Sequence, residues 1–245
     1  MNIAVCSLAT NNIRTRNYID YVLDGQKKYC ESYGYDYINY EYLIDESIPA
    51  QWNKILIIKK ILPHYDWIMW IDADAIIMNH NVKLESIIDN NYDLIVNKVY
   101  CSELFPKSKY NINTGVFLIR NCDWSIDFLD NVFYDDNQFA NNKFLGGEYE
   151  QGSFREYLNK VDPDTVLLKE DSYFNKYWPQ EDLKLIDILN NFDRYKGYYY
   201  GIINNRFFSK GDFILHLNYL NDFGGIKDKE ELYKIFSEYI IWKNE

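Results

Sequence analysis

Asp72 and Asp74 stand two residues apart in the stretch HYDWIMWIDADAIIMNHN, residues 64–81, with the apolar run Trp67–Ile71 before them and Ala75, Ile76, Ile77 and Met78 after. An ionised carboxylate withdrawn from water without a partner is so unfavourable that it shifts its pKa, pairs with a cation or binds a metal. No lysine or arginine lies between Lys60 and Lys83, which disfavours a local salt bridge and makes a metal ion a candidate partner. Residues two apart in an extended chain share a face, so both carboxylates would reach one cation. Asp162-Pro163-Asp164 repeats the spacing, but its proline and position after a helix read as a surface turn. From the residues alone, two readings of Asp72 and Asp74 stand open: a metal or ligand site, or a capping or solvated pair just past a strand.

The elements that must position them alternate. Apolar runs predict strands at Ile3–Leu8, 35–40, Trp67–Ile71, 93–97 and 113–120. Helical spacing predicts helices over 15–33, with Tyr18, Val22, Tyr29 and Tyr33 on one face, over 51–62 up to Pro63, and over 124–133 and 150–158. The expected fold class is α/β, a mostly parallel central sheet flanked by helices, with ligands at the carboxyl ends of its strands. Asp72 and Asp74 sit at such an end. With no linker, repeat or low-complexity segment in 245 residues, a single domain over 1–245 is expected.

Composition narrows the function classes. Twenty-six basic against 37 acidic side chains give a formal charge of -11, which disfavours nucleic acid and anionic lipid as partners and requires any phosphate site to be local. Cys6, Cys30, Cys101 and Cys122 lack a C-x-x-C spacing, so buried reduced thiols are expected rather than zinc or a disulfide framework. No uncharged run reaches the ~18 residues of a membrane span, and MNIAVCSLAT is unlike a signal peptide. The 24 tyrosines fit an AT-rich coding sequence.

Trp52-Asn53-Lys54, the spacing from it to YDWIMWIDADAII at 65–77, and NINTGVFLIRNCDWSIDFLDNVF at 111–133 together resemble the galactosyl/xylosyl transferase family of retaining glycosyltransferases, glycosyltransferase family 34. Its members decorate mannans and xyloglucans. The resemblance spans residues 51–158 and is looser on either side. It implies a GT-A fold that transfers a sugar from a nucleotide sugar, UDP-linked by preference, to a hydroxyl of a glycan acceptor. Asp72 and Asp74 would then hold a divalent cation, manganese or magnesium, against the donor diphosphate. Such an ion would also let a chain of charge -11 bind an anion.

The same resemblance assigns a third metal ligand, His216 in GDFILHLNYLNDFGG, in preference to His64 and His80. The family places a glycine and a lysine soon after that histidine, whereas Asn218, Tyr219 and Asn221 follow here; Gly224, Gly225 and Lys227 would meet the diphosphate from a shifted loop. Glu150 and Gln151, after Gly146 and Gly147, align with family residues near the reacting centre, and Asn113 and Gly115 of Asn-Thr-Gly with residues near the donor sugar. As structure alone, Glu150 would complement a helix dipole and Asn before Gly would mark a turn. Thr10 and Asn11, after the first strand, would face the nucleotide. Lys54 would reach a phosphate or pair with a carboxylate, Trp52 would pack, and the tyrosines of 195–201 would offer a stacking platform for an acceptor sugar.

Two rival readings remain. A sugar-phosphate nucleotidyltransferase needs a glycine-rich loop after its first strand, and LATNNIRTR has no glycine. A non-catalytic or degenerate carbohydrate- or nucleotide-sugar-binding protein is the stronger rival. Where the chain begins, at its first strand, suits either a soluble protein or the excised catalytic domain of an anchored one.

Overall fold

The computed structural model describes residues 1–11, 18–98, 109–133, 149–169, 173–174, 176, 207–217 and 238–243. In chain order the elements are β1 (Ile3–Leu8), α1 (Ile19–Tyr33), β2 (Asp36–Tyr40), α2 (Ala50–Ile61), β3 (Trp67–Ile71), β4 (Ala75–Ile77), β5 (Leu94–Lys98), β6 (Ile112–Arg120), α3 (Asp123–Phe133), α4 (Tyr149–Val161), β7 (Val166–Lys169) and β8 (Ile214–His216). The main sheet has the order β2-β1-β3-β6-β5-β7. Because β6 is antiparallel to both β3 and β5, the other strands all run the same way. The sheet is therefore mostly parallel, as the alternation of elements implies.

Side chains alternate across this sheet and bury both faces. Ala4, Cys6, Ile68, Trp70, Phe117 and Ile119 pack beneath α2, α3 and α4, around Trp52, Ile55, Phe128 and Phe154. Ile3, Val5, Met69, Ile71, Val116 and Leu118 face the other layer with Tyr29 and Cys30 of α1. That helix forms because Ile19, Val22, Leu23, Gln26, Tyr29 and Cys30 line one stripe. It stops at Gly34, whose φ of 73° lets its N–H return to the Cys30 carbonyl. Helix α2 gives way to a 3-10 turn, Leu62–His64, that accommodates Pro63.

Most boundaries fall within a few residues of the expected ones. Three short strands were not anticipated as such: β4 and β7, and β8 as the partner of β4 in a separate antiparallel pair. A strand of three or four residues carries too little periodicity to be distinguished from core. The cysteines Cys6 and Cys30 are buried free thiols and Cys122 is a half-buried one, while Cys101 lies outside the described residues.

His80, just after β4, is buried between Tyr29, edge-on at 5.6 Å, and Trp242 at 4.6 Å. Burial disfavours the imidazolium, Lys28 adds to that, and a hydrogen bond with the Ile77 backbone offsets part of it, so the His80 pKa is depressed to about 4. An unfolded histidine titrates near 6.5, so between those values the unfolded chain binds more protons and His80 makes stability fall as pH falls. Relative to His80→Phe, the wild type should lose about 3 kcal/mol between pH 6.5 and pH 4. Urea denaturation at several pH values measures this; parallel stability curves for the two proteins would contradict the assignment.

Candidate metal centre

Strand β3 ends at Ile71, and the next four residues close a tight turn in which the Ala75 N–H donates to the Asp72 carbonyl at 3.0 Å. Ala73 is driven inward against Ala9, Ile19 and Leu23, so the carboxylates on either side of it turn outward. Their side chains keep 31% exposure at Asp72 and 15% at Asp74. Two expectations are thereby corrected. The acids are not sealed in the core, because their apolar neighbours occupy it, and they converge through a turn rather than along an extended strand.

Backbone hydrogen bonds fix this turn at both ends. The Asp72 N–H donates to Gly115 of β6 at 2.8 Å, and the Leu217 N–H donates to the Asp74 carbonyl at 2.8 Å. Because β8 pairs with β4 in the register Ala75 to His216, the imidazole arrives beside the carboxylates. His216 Nε2 is 3.1 Å from Asp74 Oδ1 and 4.0 Å from Asp72 Oδ2. One ligand atom from each of the three residues lies within 4.8 Å of the others. Burial opposes charge on His216, but Asp74 and then Asp72 outweigh it and raise its pKa.

Gly115 makes the convergence possible. A Cβ there would lie 2.3 Å from His216 Cε1 and 3.1 Å from Asp72 Oδ2, so the strand backbone forms a wall of the site that only glycine fits. Two carboxylates and an imidazole in a glycine-walled cradle suit a divalent ion of the magnesium or manganese kind.

Behind the site lies a cation drawn from outside the local sequence window. Lys54 of α2 and Glu150 of α4 each have side chains only 5% exposed. The Lys54 ammonium meets Glu150 Oε1 at 2.6 Å, Asp72 Oδ1 at 3.2 Å and the Thr114 carbonyl at 2.9 Å. Burial works against its charge, but Asp72 and Glu150 prevail and its pKa is raised. Asp72 Oδ1 also accepts the Trp70 indole N–H at 2.7 Å. Its other oxygen is left towards His216. The pairing is tertiary, between Lys54 and the carboxylates of Asp72 and Glu150, and does not conflict with the absence of a basic residue near Asp72 in sequence.

The remaining predicted residues are distributed as follows. Glu150 Oε1 also accepts the Thr114 hydroxyl at 2.9 Å, and Gln151 Oε1 accepts the Thr114 N–H at 3.1 Å. Tyr149, with φ 34°, turns the chain into α4 at this point. Asn113 Oδ1 accepts the Gly115 N–H at 2.9 Å. Thr10 and Asn11 follow β1, next to Ala9, which touches Ala73 in the metal turn. Trp52 is fully buried and packs on Phe133. Lys227, Gly224, Gly225, Gly146, Gly147, 195–201 and 218–221 lie outside the described residues. Asp162 and Asp164 are exposed at the turn after α4, where Asp162 pairs with Lys109 and accepts the Tyr110 hydroxyl. Sequence reasoning missed Trp70 and Thr114 as polar partners, and Gln26, whose only signal is that it falls on the buried stripe of α1.

Residues 2–219 match the galactosyl transferase GMA12/MNN10 family. The chain belongs to that family. Galactomannan galactosyltransferase 1 of Cyamopsis tetragonoloba is 32% identical over 105 residues, 42% of this chain and 24% of the relative. Xyloglucan 6-xylosyltransferase 4 of Arabidopsis thaliana is 33% identical over 106 residues, 42% of this chain and 20% of the relative. The match thus spans a quarter or less of each relative's length. Among solved structures, a glycosyltransferase involved in the glycosylation of the major capsid of PBCV-1 superposes with a TM-score of 0.61 at 19% identity, covering 89% of this chain and 93% of that one. The glycosyltransferase GlyE of Streptococcus pneumoniae TIGR4 superposes at 0.52 and 16% identity, covering 97% and 61%. The fold is that of GT-A glycosyltransferases.

Two glycines give opposite expectations. Gly25, inside α1, has nothing within 4 Å of an added Cβ, so Gly25→Ala should raise stability by about 0.5–1 kcal/mol. Gly115→Ala should lower it by about 1–3 kcal/mol as β6 and β8 are forced apart. Chemical denaturation of the two variants checks both signs.

Proposed function

We propose that the protein is a metal-dependent glycosyltransferase that moves a hexose or pentose from a nucleotide sugar, a UDP-sugar by preference, to a hydroxyl of a glycan acceptor with retention of configuration. The observation that carries this reading is the convergence of Asp72, Asp74 and His216 at the carboxyl end of β3, against a backbone wall at Gly115. Family membership and the names of the plant relatives support the sugar-transfer chemistry.

Manganese, or magnesium, held by Asp72, Asp74 and His216 would neutralise charge on the departing diphosphate. The chain's own residues do the positioning. Lys54 and Trp70 fix one oxygen of Asp72, so the other faces the ligand set. Glu150, with Oε1 engaged by Lys54 and Thr114, holds the lysine in place. Gln151 and Asn113, which hydrogen-bond Thr114 and Gly115, would line the donor-sugar side, with Thr10 and Asn11 on the nucleotide side. An acceptor hydroxyl approaching on the face that the diphosphate leaves, with a short-lived oxocarbenium-like sugar between them, asks no covalent bond of Glu150. Among the described residues no helix is long and apolar enough to cross a membrane.

The test contrasts one substitution at the two Asp-x-Asp sites. Asp74→Asn keeps the shape but removes a charge from the ligand set, so donor hydrolysis should fall by orders of magnitude and the stabilisation gained from added manganese and UDP should largely vanish. Asp164→Asn, in an exposed turn, should change stability by no more than about 0.5 kcal/mol and leave hydrolysis intact. A paired melting and hydrolysis series reads both. Small, equal effects would remove the metal site from the account, and manganese-dependent UDP binding without turnover of any nucleotide sugar would leave a binding protein.

A further inference from the structure

The turn that carries Asp72 and Asp74 is held from behind by a side chain of α1. Gln26 is fully buried, and its Nε2 donates to two carbonyls, Ala75 at 2.9 Å and Asp72 at 3.2 Å. These are the first and last carbonyls of the turn that the Ala75 N–H closes onto Asp72. The orientation of the amide is itself fixed, because Gln26 Oε1 accepts the Tyr37 hydroxyl at 2.9 Å. Tyr37 sits on β2, paired with Val5 of β1, so the relay runs from the sheet edge through the helix to the metal turn.

A buried amide that satisfied only itself would cost nothing to the site if replaced by an apolar group of the same shape. Gln26 is placed otherwise. Its two hydrogen bonds hold the Asp72–Ala73 and Ala75–Ile76 peptides, which bracket the stretch of backbone that carries both carboxylates. Lys54 and His216 offset part of the repulsion between the two carboxylates, and what remains acts to open the turn. A clamp across its ends opposes the opening and keeps the ligands in a binding arrangement before an ion arrives.

We propose that Gln26, oriented by Tyr37, is a positioning residue for the divalent ion, acting on the Asp72–Ala75 turn without touching the ion itself. The inference rests on the metal reading above. Outer hydrogen bonds of this kind alter metal affinity by about 10- to 100-fold when removed.

The experiment is calorimetric titration of the full chain with manganese alone, without donor, alongside melting. Gln26→Met removes the donor at similar length, Tyr37→Phe removes only the hydroxyl that orients the amide, and Cys30→Ala truncates a buried residue one turn further along the same helix without removing an amide donor. Gln26→Met should weaken manganese binding about tenfold or more. Tyr37→Phe should fall between it and wild type, and Cys30→Ala should melt earlier yet bind manganese within twofold of wild type. Binding within twofold of wild type by folded Gln26→Met overturns the proposal, as does an equal loss in Cys30→Ala, which would mark a general effect of stability. Should Gln26→Met fail to fold, Tyr37→Phe decides by the same twofold criterion. Wild type that binds no manganese would instead overturn the metal reading, and this role with it.

Discussion

Everything at this site depends on how negative charge is held beside a sheet whose two faces are apolar. Lys54 is the fixed counter-charge. Buried under α2, it is shared by Glu150 and by one oxygen of Asp72, and its three N–H groups are used by those carboxylates and the Thr114 carbonyl. Removing one partner of such a buried network leaves an unpaired charge, which is far more costly than the net worth of the pair. Lys54 therefore ties α2, β3, β6 and α4 together at one point. It neutralises one side of Asp72 and leaves the other side facing Asp74 and His216.

The rest of the architecture brings these groups to one place. Reversal of β6 among otherwise codirectional strands sets Gly115 beside Asp72, and the short β4–β8 pair brings His216 in from a distant part of the chain. Both approaches require the absence of a side chain at Gly115. Charge, topology and one missing Cβ thus act on the same few ångströms.

Much of this was legible in the sequence, for identifiable reasons. The strands and helices of the mostly parallel sheet follow from apolar runs and helical spacing, and Asp72 and Asp74 stood out because carboxylates interrupt an apolar run. His216 needed the family resemblance, since a lone histidine after an apolar stretch has no local signature of its own. A carboxylate partner for Lys54 is among the sequence expectations, but that the partners are Asp72 and Glu150 depends on the packing of α2 and α4, which no spacing reveals. Gln26 was overlooked because glutamine on a helix is ordinarily exposed; only its place between Val22 and Tyr29 on the buried stripe marked it. Strands β4, β7 and β8 were too short to carry a period.

In the proposed metal site Asp72, Asp74 and His216 share one divalent ion while Lys54 holds the far side of Asp72. Anomalous diffraction at the manganese edge, from crystals grown with manganese and UDP, tests it most directly. A shared ion gives a single strong peak within direct coordination distance of all three side chains, with Lys54 still on Asp72 and Glu150. A peak elsewhere, or none at saturating manganese, would contradict it.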